Sequence, residues 1–212
     1  MKRLWIIGAG GFGREVYDWA VDVRRHHPRW DIAGFLDDNP EALAGRPCDL
    51  PLVGPVENHT FTGDDLAVIA IADPRTRMDI SQRLEGRVHW ETLIHPSAII
   101  GSHTPIGEGT VICPRVVITT NSKVCEHVHI NAFSSVGHDS LIGSFCTLSG
   151  HVDICGNVTL DQGVFFGSHA TVIPRARVGE FARVGAGSMV LRAVRPNTTV
   201  IGVPARTIAA LK

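Results

Sequence analysis

The chain has 212 residues and a formal net charge of −1, with 20 Lys and Arg against 21 Asp and Glu and no block of like charges. That balance argues against a nucleic-acid or membrane-binding surface, and the length suits one large domain or two small ones. Glycines are plentiful and aromatics scarce, and the five cysteines (Cys48, Cys113, Cys125, Cys146, Cys155) contain no CxxC pair, which argues against a zinc ribbon or a disulfide framework.

The apolar run before Gly8 is too short for a signal peptide or a membrane span, so a soluble cytoplasmic protein is expected. Residues 1 to about 90 read as a small Rossmann-like α/β unit. Leu4 to Ile7 is a buried strand, followed by Gly8-Ala9-Gly10-Gly11-Phe12-Gly13. A helix to about Arg25 follows, with Val16, Trp19, Ala20 and Val23 on one face and Pro28 beyond its end. Ile32 to Leu36 is the next strand, running into the turn Asp37-Asp38-Asn39-Pro40. Leu66 to Ile71 is a continuous apolar strand, and Asp73-Pro74 reads as an N-cap with proline at the first helical position, opening a helix to about Leu84. About four strands alternating with helices imply a parallel sheet, roughly half a dinucleotide fold. The loop fits G-x-G-x-x-G between a strand and a helix, with Asp37 and Asp38 downstream. That setting places phosphates at a helix N-terminus and a carboxylate on ribose or base, which makes Gly10, Gly11, Phe12, Asp37, Asp38 and Asp73 candidate ligand residues.

Residues 91–212 follow a different grammar. From Ile94 to Val190 every sixth residue is aliphatic or, at Phe166, aromatic, and a small or β-branched residue usually sits four positions after each mark. Neither the 3.6-residue period of a helix nor the period of 2 of an ordinary strand produces this run. It is the hexapeptide repeat of a parallel β-helix, with three hexads per triangular coil, about five coils, and strands stacked at roughly 4.8 Å. The residue after the mark is often glycine, which suits positive φ or close backbone approach. A tail from Arg192 closes the chain.

Together the two halves resemble the sialic-acid O-acetyltransferase and nucleotide-amino-sugar N-acetyltransferase family along the whole length. The resemblance rests on Gly8 to Glu15, Phe35-Leu36-Asp37-Asp38, Ile94-His95-Pro96-Ser97-Ala98, Val136-Gly137-His138-Asp139 and Gly202-Val203-Pro204-Ala205-Arg206. It implies a left-handed β-helix, a homotrimer with acetyl-CoA in the groove between subunits, and an N-terminal domain that holds a nucleotide-linked sugar. It also implies that His138 is the catalytic base, oriented by Asp139, in direct acetyl transfer to an amine. Family alignment places Thr147, Ser168 and Ala186 at the acetyl-CoA contacts. The N–H of Gly156, one coil from His138, is a candidate oxyanion donor, with a simple tight corner as the alternative. Arg206 offers charge to a CoA phosphate or is a solvated arginine.

The expected activity is N-acetylation of a nucleotide-linked amino sugar, a 4-amino-4,6-dideoxyhexose, with no bound metal and no nucleic-acid or membrane partner. The alternatives are O-acetylation of a sugar such as sialic acid, a β-helix metalloenzyme built on the stacked pair His151 and His169, and a non-catalytic nucleotide-binding scaffold.

Overall fold

A computed structural model describes residues 2–208; residue 1 and the end of the tail, 209–212, lie outside the described residues. Strands β1 (Lys2–Ile7), β2 (Trp30–Leu36), β3 (Leu52–Gly54), β4 (Asp65–Ile69) and β5 (His89–Trp90) form one parallel sheet in the order β3-β2-β1-β4-β5. Helix α1 (Gly11–His26) follows β1 and helix α2 (Pro74–Arg83) follows β4, at the boundaries the sequence predicts. The strand count of about four is corrected to five. The added strand is β3, three residues with no apolar run of their own, held beside β2 by parallel pairing. α1 buries Val16, Ala20 and Val23, the face expected from their spacing, while Trp19 is half-buried.

From Leu93 the chain winds as a left-handed β-helix. Each apolar mark except Ile106 is the second residue of a two-residue strand, and Ile106 makes an isolated bridge to Val124. Strands pair in parallel with the strand eighteen residues on, as in His129↔Thr147 and Ser135↔Asp153, which gives three sheets along the faces of a prism. The marks from Ile112 to Val190 are buried to 1% exposure or less, so each contributes roughly 1.5–3 kcal/mol of apolar burial against its neighbours. After Val190 the step shortens: Val178 bridges Val194 and Val184 pairs Val200, so the tail adds a last partial coil. Arg206–Ile208 then folds back antiparallel on Thr199–Ile201.

The corners divide the work expected of the glycines. Positive φ falls on the third residue after the mark, where the side chain is mostly not glycine: His103, Arg115, Asn121, His127, Phe133, Asp139 and onward. The glycines directly after the mark serve close approach instead. A Cβ on Gly137 would lie 2.5 Å from the nitrogen of Gly156, and one on Gly167 would lie 2.5 Å from that of Ala186.

Candidate active site

His138 lies two residues after the buried mark Val136, on the corner that leaves the Ser135–Val136 strand. Its Nδ1 is 2.7 Å from Asp139 Oδ2. A carboxylate at neutral pH only accepts, so the proton sits on Nδ1 and the Nε2 lone pair is left for chemistry. Asp139 holds the left-handed conformation, φ 58°, and its backbone N–H bonds Thr120 O in the coil above, while His138 O accepts from Asn157 N in the coil below at 2.7 Å. The pair is therefore set by two neighbouring coils. Its side chains remain 58% and 49% exposed, on an open corner.

Gly156 stands directly beneath the imidazole. A Cβ there would lie 2.7 Å from His138 Nε2, so the absent side chain is what makes room for the ring. Its N–H, like the others two residues after a mark, makes no backbone hydrogen bond among the described coils and is available to a ligand. The two buried cysteines offer no competing nucleophile, and burial also raises the thiol pKa of the half-buried Cys155 beside Gly156. Cys113 and Cys146 are fully buried, and burial pushes the Cys146 thiol up to about 12.

Ser168 and Ala186 occupy a different corner, the one leaving the Phe165–Phe166 and Arg183–Val184 strands, in register with Ala132 and Gly150. Beside this column the rings of Phe133, His151 and His169 stack, with His151 and His169 centroids 4.6 Å apart and 7° from parallel. The ring that extends the histidine pair is a phenyl, which offers no ligand to a metal. Thr147 is placed otherwise than the alignment suggests. It is 3% exposed, its Oγ1 donates to Ala72 O at 2.8 Å and accepts from Arg77 at 2.9 Å, and it is committed to the junction between the two units rather than to a groove. Arg206 is exposed and lines a hollow of about 610 Å³ at the end of the β-helix, together with Arg192 and Arg195.

The glycine loop opens a second candidate site. Gly8 has φ 101°, and a Cβ on Gly13 would lie 1.9 Å from Gly8 O, so these two glycines close the strand-to-helix turn. A Cβ on Gly10 or Gly11 would meet nothing, so open space lies over them. α1 begins there with Gly10 as N-cap, no capping side chain and no acidic residue in its first turn, which leaves its N–H groups and positive dipole end for an anion. Asp37 Oδ2 accepts from Ala9 N at 2.7 Å, and Asp38 Oδ1 accepts from Val56 N at 3.2 Å. Phe12 turns inward, 5.0 Å from the His129 ring and 5.9 Å from Trp19, so it packs the junction between the units. Asp73 caps α2 as expected, accepting from Thr76 N at 3.0 Å, with Arg183 3.6 Å away.

Sequence reasoning missed the cluster that welds the two units together. Arg77 is fully buried and donates to the carbonyls of Ile71, His127, Phe145 and Cys146 and to Thr147 Oγ1. Burial lowers its pKa to about 9, so it stays charged at neutral pH. His127 stacks on Phe145 at 5.1 Å, meets Trp90 edge-on, and bonds Ser81 Oγ at 3.0 Å. Burial, followed by the Arg77 charge, drives its pKa down to about 4, and His129 is pushed well down for the same reasons. The available signal was helical spacing: Arg77 shares the stripe of Pro74, Ile80 and Leu84, where a charge is out of place.

Residues 3–84 match the family described as the PglD N-terminal domain. The GDP-perosamine N-acetyltransferase of Escherichia coli O157:H7 is 34% identical over 183 residues, 81% of this chain and 78% of the relative. PerB from Caulobacter crescentus, solved with CoA and GDP-perosamine, is 28% identical with a TM-score of 0.86, covering 99% of this chain and 98% of its own. WeeI from Acinetobacter baumannii AYE is also 28% identical at a TM-score of 0.86, covering 98% of this chain and 100% of its own.

Proposed function

The chain belongs to the hexapeptide-repeat sugar acetyltransferases, and from that premise we propose that its acceptor is a nucleotide-linked 4-amino-4,6-dideoxyhexose and its general base His138. It is an acetyl-CoA-dependent acyltransferase that N-acetylates a nucleotide-linked amino sugar. The observation that carries the assignment of the base is the His138–Asp139 pair, with Nε2 uncommitted above a glycine on an open corner. The sugar amine attacks the thioester carbonyl carbon, its N–H proton passes to Nε2, and the C–S bond breaks to release the CoA thiol, which takes up the proton. Asp139 holds the ring and stabilises the imidazolium in between, and the Gly156 N–H is a donor for the oxyanion.

The nucleotide site in this reading is residues 1–90, with diphosphate over Gly10 and Gly11 at the start of α1. The β-helix and tail, residues 91–212, hold acetyl-CoA along Ser168 and Ala186, with Arg206 near its phosphates. Within one chain these parts are separate. Phe12 abuts the sheet that carries His129, Ser168 stands on the corner that leaves that same sheet, and His138 stands on the corner that leaves the next one. In this reading a homotrimer with sites between subunits brings the glycine loop of one copy to the His138 corner of another. No helix among the described residues is long and apolar enough to cross a membrane.

Mixed oligomers test both parts. His138→Ala should lower turnover by roughly 10² to 10⁴. Gly11→Glu, which places a carboxylate at the helix N-terminus, should abolish nucleotide-sugar binding. Mixing the two inactive variants under exchange conditions should restore thiol release from acetyl-CoA. No recovery, or full activity from a monomer in the ultracentrifuge, would remove the shared site. Turnover with free sialic acid alone would move the protein to O-acetylation.

A further inference from the structure

The corners of the β-helix are closed in two ways. Below Val116, Val128 and Val152, apolar residues four places after a mark, the next corner down closes on its own turn. Ser134 N bonds Asn131 O, Cys146 N bonds Gly143 O and Ala170 N bonds Gly167 O, each at 3.3 Å. Below Ser122 and Ser140 a buried hydroxyl takes the place of that turn bond. Ser122 Oγ donates to Gly137 O at 2.8 Å and accepts from Ser140 N at 3.2 Å. Ser140 Oγ donates to Cys155 O and accepts from Val158 N, both at 3.1 Å. Neither corner has a turn bond of its own among the described residues, and neither carbonyl has another partner there.

The two corners held open in this way are consecutive, and they carry the candidate chemistry. Residues 137–140 include His138 and Asp139, and residues 155–158 include Gly156. Resting on the assignment of His138 as base, we propose that Ser122 and Ser140 are positioning residues for acetyl transfer. Ser122 pins the peptide that enters His138, through Gly137 O, and the peptide that leaves Asp139, through Ser140 N. Ser140 acts on the oxyanion donor itself, because Cys155 O and the Gly156 N–H belong to one peptide unit. A hydrogen bond to that carbonyl fixes the plane of the unit and polarises its N–H, which strengthens it as a donor. With the hydroxyl removed, the carbonyl and the N–H at the two ends of the corner are left to each other, as in the corners that close themselves. Turning the carbonyl toward that partner tilts the Gly156 N–H with it.

The test is thiol release from acetyl-CoA by the full chain, with GDP-, UDP- and dTDP-linked 4-amino-4,6-dideoxyhexoses as acceptors. Alanine occupies the same hexad position at Ala170, Ala176 and Ala182, so Ser122→Ala and Ser140→Ala fit the coil. Each should lower kcat by about 10- to 100-fold and leave both KM values within about 2-fold. Ser122→Thr and Ser140→Thr keep the hydroxyl and should recover most of the rate. Thr110→Val removes the equivalent pair of bonds, to Cys125 O and Val128 N, at a corner that carries neither His138 nor Gly156. It should lower the denaturation midpoint as much as the alanine variants do, with kcat unchanged. Ser122→Ala added to His138→Ala should cost nothing further, whereas Ser140→Ala added to it should still cost about 10-fold through Gly156. Normal kcat in both alanine variants, threonine variants as slow as the alanine ones, or an equal loss in Thr110→Val would each overturn the inference. Any of these beside an inactive His138→Ala would leave His138 as the base. Near-normal turnover in His138→Ala, or no turnover of any acceptor by the unaltered protein, would overturn both readings.

Discussion

His127 and His138 are carried two hexads apart on corners of the same β-helix, yet their environments are opposite. His138 is 58% exposed with its ring nitrogens divided between a carboxylate and solvent, whereas His127 is 4% exposed between Trp90, Phe145 and Arg77. The repeat alone makes all corners alike. What separates them is that α2 and β5 pack against one corner and leave the other open, so one histidine becomes part of a joint and the other a reagent. A solenoid offers a ladder of equivalent positions, and the appended unit decides which of them are spent on structure.

The joint is where the comparison breaks most severely. Arg77→Met removes the donors that serve the carbonyls of Ile71, His127 and Phe145, while Cys146 O keeps the backbone N–H of His129. Leaving several buried acceptors unpaired should cost about 3–5 kcal/mol, read as a fall in the denaturation midpoint. A variant as stable as the parent would mean that the carbonyls find other partners and that the weld is not electrostatic.

At the open corner the expected effect is smaller and falls on catalysis. Gly156→Ala puts a methyl group 2.7 Å from the present position of His138 Nε2, so the ring must tilt. Turnover should fall by roughly 10- to 100-fold with the fold intact, as expected when a positioned group is displaced by about 1 Å. Unchanged kcat would show that the ring tolerates displacement and that the vacancy beneath it is incidental.

The smallest effect is in pH. The folded-state pKa of His127, about 4, lies below its ordinary value of 6.5, so between the two the unfolded chain binds a proton that the folded chain refuses. Stability is therefore complete above about 6.5 and declines as pH falls toward 4, by roughly 1–3 kcal/mol from this group. A phenyl ring in place of this imidazole would be tolerated sterically, as Phe133, Phe145 and Phe181 occupy equivalent corners with positive φ. His127→Phe should accordingly flatten the acid limb of the stability curve, and an unaltered slope in denaturation at pH 4.5 and 7 would assign the acid sensitivity elsewhere.

Much of this molecule was readable residue by residue. The six-residue period determined the β-helix and nearly every strand in it, because a side chain pointing inward once per hexad leaves no alternative packing. The N-cap at Asp73, the strand-turn-helix around Gly8 to Gly13 and the candidate pair His138-Asp139 were legible for the same reason, since each is a local arrangement completed within a few residues. β3 escaped notice because it is a strand only by virtue of β2, and the fate of Asp37 depends on Ala9 lying beside it. Thr147, Phe12 and Arg77 could not be placed from the sequence at all. Their partners lie 75, 117 and up to 70 residues away, across a junction that exists only once both units are folded. A period constrains which way a side chain points relative to its own coil; which side chains are then covered depends on contacts between distant segments, and no local pattern encodes those.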